Sequence, residues 1–347
     1  MIIKIGDRKV GNTEPCFIVA EISCNHLQKK DYALKLIEEA KAAGADAVKF
    51  QTYTPDTITI KSDNEHFRIK GTLWEGRTLY DLYAEAYTPW DWFPDLKDRA
   101  KEEGLTFFSS PFDESAVDFL EKLDIPAYKI ASFEITHIPL IKKAAATKKP
   151  IILSTGLASL TDIELAIATI KGEANNQIAV LKCTSAYPAP YSEMNLRTIT
   201  NIEETFGVVS GLSDHSMGIA APVAAVALGA KIIEKHFIMD RKYGGPDAEF
   251  SLEPTEFKDM VKAVRNAEES LGEVSYTLGK KAREHRFFMR SIFVVKDIKK
   301  GEKLSPENMK VIRPGNGLAP VHYTDVIGKR TKKDVKRGTP LDWEMIE

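Results

Sequence analysis

The sequence predicts an α/β protein, a (β/α)8 TIM barrel followed by a small, mostly β module. Three observations point there: eight short apolar runs, amphipathic stretches of helical period between them, and a change of pattern after Glu273. A chain of 347 residues is long for one domain and suits a large domain plus a small one. The expected boundaries are 1–275 for the barrel, 276–287 for a linker and 288–347 for the module.

In chain order the runs are Cys16 to Cys24, Ala47 to Thr52, Leu105 to Ser110, Ala127 to Ser132, Pro150 to Thr155, Ile178 to Ser185, Val208 to Asp214 and Lys231 to Phe237. Amphipathic segments lie between them, among them Asp31 to Ala43, Glu114 to Leu123, Ile138 to Thr147, Leu160 to Lys171 and Gly218 to Leu228, and Pro254 to Leu271 follows the last run. An open, doubly wound sheet is the alternative arrangement, but no Gly-rich dinucleotide fingerprint follows any run. One connection is unusual: Tyr53 to Pro89 separates the second run from its helix by far more than the few residues usual for such loops. In a barrel it rises from the C-terminal face, where active sites of this fold sit, and reads as a lid with Trp74, Tyr80, Tyr83 and Tyr87 as its anchoring face.

After Glu273 a polar, basic stretch, Lys280 to Arg286, leads into Ser291 to Val295, and Gly301, Pro306, Pro314, Gly315 and Pro340 then follow at short intervals. A β module of this size buries little core alone and is expected to dock on something. The formal charge of −2 hides an asymmetry, because residues 281–347 hold 16 Lys and Arg against 9 Asp and Glu. A nucleic-acid reading would need interleaved aromatics or a binding motif, and neither is there. Most of these charges read as a solvated face, with a few free to neutralise an anionic ligand.

The composition, 43% hydrophobic and 28% charged, is that of an ordinary globular protein. Cys16, Cys24 and Cys183 are too scattered for a disulfide framework or a zinc knuckle and read as small core or pocket-wall residues in a reducing compartment. Met1 to Val10 lacks the apolar stretch of a signal peptide, and no run approaches the length of a membrane span, so a cytoplasmic location is expected.

What stands at the C-terminal ends of the runs carries the chemistry. In order these are Glu21 and Asn25; Lys49 and Gln51; Ser109 and Ser110; Lys129, Ser132 and Glu134; Ser154 and Thr155; Thr184, Ser185 and Tyr187; Ser213, Asp214 and His215; and Glu234 and His236. One polar residue at a strand end is commonly a cap or turn residue, but eight successive ends converging on one barrel mouth make a ligand site. His215 and His236 end neighbouring runs, and adjacent strands lie about 5 Å apart, so the two imidazoles can share a metal ion with coordination positions left open. The plainer reading is a pair of hydrogen-bonded structural histidines; their matched placement favours the metal. His26, beside Asn25, is a further candidate for the pocket, while the other histidines read as surface or packing residues. Lys49 and Lys129 interrupt apolar strands, where a buried ammonium without an anion is costly. Ion pairs with Glu21 or Glu134 would relieve that cost, and so would a phosphate or carboxylate held together with Ser132, Ser154, Thr184 and Ser213.

Six stretches together resemble the sialic acid synthase family of phosphoenolpyruvate-condensing enzymes, almost end to end. They are Ala20 to His26, Val48 to Thr52, Tyr128 to Ser132, Leu212 to His215, Glu234 to Phe237, and Gly245-Pro246-Asp247 with Ser251 to Pro254. The resemblance implies a barrel joined to an antifreeze-like (SAF) domain and a domain-swapped homodimer, in which Arg313 of Arg313-Pro314-Gly315 reaches the acylamino groups of the sugar bound by the other chain. It implies a divalent metal on His215 and His236, Mn2+ with Mg2+ or Co2+ as alternatives, and phosphoenolpyruvate and an N-acylated amino sugar as substrates. Catalytic roles then fall on Glu21, Lys49, Lys129, Glu134, His215 and His236. Substrate contacts fall on Asn25, Gln51, Ser110, Ser132, Ser154, Gly156, Thr184, Tyr187, Ser213, Asp247 and Arg313. Gly71 to Tyr83 and Ala86 to Trp90 look most like the branch whose product is pseudaminic acid. Ala248 stands where sialate enzymes usually have His, and Ser23-Cys24 and Leu27 replace their usual residues, which disfavours N-acetylmannosamine as acceptor. Sialate or legionaminate synthesis and a catalytically silent sugar-binding protein are the competing readings.

Overall fold

The chain opens with an antiparallel hairpin, β1 (Ile2–Ile5) and β2 (Arg8–Gly11). Eight parallel strands follow: β3 (Phe17–Glu21), β4 (Ala47–Thr52), β5 (Thr106–Pro111), β6 (Tyr128–Ile130), β7 (Ile151–Ser154), β8 (Ile178–Cys183), β9 (Val209–Asp214) and β10 (Ile232–His236). They neighbour one another in chain order and β10 pairs back onto β3, so the sheet is the closed barrel that the eight runs predict. This is a computed structural model; it describes residues 1–12 and 14–347, which form two units, Met1–Gly272 and Glu273–Glu347.

Alternation along the strands decides what each face holds. Ile18 and Ala20 of β3 and Val48 and Phe50 of β4 face outward and join the apolar layer under the helices. Phe17, Val19, Ala47, Phe108, Ala127, Ile152, Leu181, Val209 and Ile232 fill the interior instead. Two residues further along, the same alternation sets polar side chains on that interior face: Glu21 after Val19, Lys49 after Ala47, Ser110 after Phe108, Lys129 after Ala127, Ser154 after Ile152 and Glu234 after Ile232. The lower part of the barrel is therefore a packed apolar plug and the upper part a polar floor. Ile3, Ile5 and Val10 of the hairpin pack into the plug; the alternation of Met1 to Val10 is that of a strand pair, which the sequence reading did not assign.

The helices expected from the sequence are present within a few residues, including Lys30–Ala42, Glu114–Lys122, Leu160–Gly172 and Pro254–Leu271. Local chemistry sets their starts. Asp113 accepts from Ala116 N (2.7 Å), Ser159 and Asp162 form a reciprocal capping box, and Pro254 occupies the first helical turn where no amide partner is required. Two further helices, Phe93–Glu102 and Thr198–Phe206, complete the connections after β4 and β8. The second unit pairs β11 (Ser291–Val294) with β12 (Met309–Ile312) around a small core of Ile292, Val294, Ile298, Leu304, Val326, Val335, Leu341 and Ile346. Among the described residues no helix is long and apolar enough to cross a membrane.

Because Ile5 is fully buried in the plug, Ile5→Ala should lower the unfolding free energy of the protein by about 2–5 kcal/mol, measured by urea denaturation. A loss below about 0.5 kcal/mol would mean that the hairpin is not part of the barrel core.

Candidate active site

Strand register brings the polar floor together. Glu21 lies level with Lys49 on one side and His236 on the other, and Glu234 lies level with Ser213. Lys49 Nζ stands 2.7 Å from Glu21 Oε2 and donates to Ser110 Oγ (3.1 Å). Glu234 Oε1 sits 3.8 Å from both Lys49 and Lys129 and accepts from Ser213 Oγ (3.1 Å). Two ammonium groups and two carboxylates are thus buried within one layer of the barrel.

They are not equally satisfied. Burial pulls Lys49 down, but Glu21 and Glu234 outweigh it and hold the ammonium above its ordinary range. Burial pulls Lys129 down as well, and Glu234 only partly offsets it, so Lys129 falls below its ordinary range. Its nearest acceptor is a backbone carbonyl, that of Ile130 at 3.2 Å. The carboxylate that meets Lys129 is Glu234, not Glu21 or Glu134, the partners the plainer reading offered; sequence reading placed Glu234 at a strand end without a role, and its position two residues before His236, on the same face, is the signal that marks it.

A cavity of about 340 Å³ opens above this floor. Of the residues named from sequence, Glu21, Lys49, Gln51, Lys129, Ser132 and Glu134 line it, as do Ser154, Tyr187, Ser213, His215, His236 and Asp247. Ser154 Oγ is buried without a hydrogen-bond partner, a hydroxyl left for a ligand. Ser23, read from sequence only as a departure from the sialate pattern and not as a site residue, also lines the cavity: its φ of 48° turns the chain after β3 so that Oγ donates to Asp247 Oδ2 (2.6 Å) and accepts from Gln51 Nε2 (2.9 Å). Cys24 lines the wall and Cys183 lies against His215, both buried.

Other residues named from sequence act from behind the surface. Asn25 does not line the cavity; its amide donates to Phe237 O (2.9 Å) and Ser251 Oγ (2.8 Å) and ties the end of β3 to the segment after β10. Ser110 meets Lys49 rather than the cavity, and Thr184 offers its carbonyl to the Nδ1 of His215 (3.2 Å). Gly156 N donates to Ser132 Oγ (3.0 Å), and a Cβ at Gly156 would fall 2.0 Å from Ser185 Oγ, so a larger residue there would displace the Ser185 and Ser132 hydroxyls. Asp214 points to the outer face and pairs with Lys235 (2.7 Å), both fully buried. His26, pushed down to about 4 by burial, accepts from Gln28 N at Nδ1 (3.2 Å) and so donates from Nε2 to Thr88 Oγ1 (3.0 Å); it anchors the long loop instead of the ligand. Arg313 lies exposed after β12 in the second unit and makes no ion pair among the described residues.

The residues fit a shared metal ion. The rings of His215 and His236 are 5.3 Å apart, and the bond from Nδ1 of His215 to the Thr184 carbonyl leaves Nε2 to ligate. Nδ1 of His236 is buried without a hydrogen-bond partner, and Asp247 Oδ2 stands 3.5 Å from it. Among the described residues no cluster of three or more His, Cys, Asp or Glu side chains is arranged to hold a metal, so the chain offers two imidazoles.

The NeuB family model matches residues 36–276 and the SAF domain model matches residues 289–347. The chain is 49% identical over 325 residues to the pseudaminic acid synthase of Campylobacter jejuni subsp. jejuni, covering 94% of this chain and 95% of that one. It is 45% identical over 335 residues to the pseudaminic acid synthase of Helicobacter pylori, covering 96% and 98%. The crystal structure of spore coat polysaccharide biosynthesis protein SpsE from Bacillus subtilis is similar over 100% of this chain and 99% of that one, at 36% identity and a TM-score of 0.69.

Burial pushes the Glu134 carboxyl up to about 7 against the pull of Lys129, whereas an unfolded glutamate titrates near 4.3. The folded chain therefore binds more protons between those values, and the stability associated with Glu134 is lost as pH rises through them. Glu134→Gln should raise stability over the native protein at pH 8 and lose that advantage at pH 4, read from urea unfolding at both. An equal difference at the two pH values would place Glu134 in water.

Proposed function

The chain belongs to the NeuB family, and from that premise we propose that it condenses phosphoenolpyruvate with 2,4-diacetamido-2,4,6-trideoxy-L-altrose and water to give pseudaminic acid and phosphate. The observation that carries the chemistry is the pair of Lys129, whose nearest carboxylate is 3.8 Å away, and the unpartnered hydroxyl of Ser154, both lining one cavity: a buried amine and a buried donor that an anionic ligand completes.

Lys129, Ser132, Ser154 and Ser213 hold phosphoenolpyruvate, with Thr184 supporting them, and Lys49 positions it. A divalent ion on His215 and His236, taken as Mn2+ with Mg2+ or Co2+ as alternatives, would polarise the aldehyde oxygen of the open-chain sugar. C3 of phosphoenolpyruvate bonds to the aldehyde carbon, and the positive charge developing at C2 faces Glu21 and Glu234. Glu21 orients the water that adds at C2, with Glu134 as the second candidate, and phosphate then leaves from the tetrahedral carbon. Gln51 and Asp247 hold the sugar hydroxyls, and Tyr187, packed 4.6 Å from His215, closes one wall. The protein works in the cytoplasm as a domain-swapped homodimer, with Arg313 of one chain reaching the sugar bound by the other; the exposure of Arg313 and the strong exposure of Val274 and Tyr276 support that part of the reading.

Phosphate release from phosphoenolpyruvate should occur with the diacetamido altrose and fall by at least about tenfold with N-acetylmannosamine. Preference for N-acetylmannosamine would sink the acceptor assignment and leave the condensation standing. His215→Ala and His236→Ala should each keep the far-UV circular dichroism of the native protein while weakening manganese retention by more than about tenfold, measured by elemental analysis after gel filtration. Unchanged metal content in both would remove the ion from these two residues.

A further inference from the structure

The cavity has a floor and a roof of opposite character. The floor carries every charged group that lines it, from Glu21 and Lys49 round to His236 and Asp247. The roof is the segment 53–89, which contributes Ile58, Ile69, Thr72, Trp74, Leu79, Leu82, Tyr83 and Ala86. The segment is rich in charge, but Arg68, Lys70, Glu75, Arg77, Asp81 and Glu85 all stay out of the cavity. Arg77 instead binds Glu85 Oε2 (2.5 Å) and the Asp81 carbonyl (3.1 Å) on the outer side. Ile58, Ile69, Trp74 and Leu79 are only half-buried, so they keep apolar surface for a ligand to cover.

The roof is fixed in place. Trp74 Nε1 donates to the carbonyl of Pro246 (2.9 Å), beside Asp247, and the indole packs 5.7 Å from Tyr187. Tyr83 packs edge-on against the buried Tyr53, and Tyr53 against Phe112. Thr72 and Tyr83 bring the only side-chain hydroxyls that this segment adds, apart from Tyr53 at its root.

An acceptor whose aldehyde meets the floor extends its far end under this roof. A hydroxyl placed against Ile58, Ile69, Trp74, Leu79 and Leu82, away from the Thr72 and Tyr83 hydroxyls, gives up water without gaining a partner, whereas a methyl group covers apolar surface. The geometry points to acceptor choice being made by the roof: Ile58, Ile69, Trp74, Leu79 and Leu82 seat the methyl group of a deoxygenated, N-acylated sugar and exclude an acceptor that is hydroxylated at its far end. This deepens the condensation reading and rests on it. The five side chains are specificity-determining residues with no part in the bond-forming step.

The test compares the full-length protein and its Leu79→Asn and Ile69→Asn variants on two acceptors, the 2,4-diacetamido-2,4,6-trideoxy sugar and the same sugar bearing a hydroxyl at its terminal carbon. The native protein should favour the deoxygenated acceptor in kcat/KM by roughly a hundredfold, the usual limit for an apolar pocket refusing one hydroxyl. Each variant should bring that ratio below about tenfold with the KM for phosphoenolpyruvate unchanged. An unchanged ratio in a folded variant, or equal losses on both acceptors, would overturn the seat. Two variants on separate parts of the roof guard against one failing to fold. Absence of phosphate release with any amino-sugar acceptor would instead remove the condensation reading beneath it.

Discussion

Two lysine ammonium groups enclosed in a barrel interior set the conditions for the rest of the site. Both are shut off from water, and two carboxylates share the balance unevenly: Glu21 lies 2.7 Å from Lys49, while Glu234 lies 3.8 Å from both lysines. Removing one member of such a buried pair costs about 3–5 kcal/mol, so the four groups hold one another as a unit. The unit is neutral when all four are charged, yet its geometry leaves Lys129 short of an acceptor. An anion arriving at the cavity meets an existing deficit and requires no rearrangement of the fold.

The plug makes that arrangement rigid. Phe17, Phe108, Ile152 and Leu181 fill the barrel below the charged layer, and the hairpin adds Ile3, Ile5 and Val10 to the same cluster. Close packing there is hardly compressible, and with the strand register it fixes the heights of Glu21, Lys49 and Lys129. Gly211 shows how tight the interior is: a Cβ at that position would lie 2.4 Å from the carbonyl of Ile232 and 2.7 Å from Leu181.

Much of the barrel was legible because period-2 alternation and helix caps are local signals. The eight runs, the helix starts at Glu114 and Leu160, and the placement of Lys49, Lys129, His215 and His236 all follow from neighbours a few residues away. What escaped depended on orientation or on distant partners. Asp214 ends a strand as His215 nearly does, yet it faces outward to Lys235, and the inward series Val209, Gly211, Ser213 predicts that opposite facing. Asn25 and His26 sit beside the mouth in sequence, but their partners, Phe237, Ser251 and Thr88, come from other parts of the chain that only the closed barrel brings near. Ser23 enters the cavity through a left-handed turn that its residue type does not announce.

The division between floor and roof separates two kinds of selection. The floor is assembled from eight strands in fixed register, so any change there disturbs charge balance in a layer where every group is buried and shared. The roof comes from one insertion between β4 and its helix, tied down by Trp74 and by the contact of His26 with Thr88, and its cavity-facing side chains share no ion pair with the floor. Substitutions in the roof can therefore alter what fits at the far end of the acceptor without changing the electrostatics at the reacting carbons. A barrel built this way keeps one bond-forming chemistry constant while a single connection decides which sugar receives it.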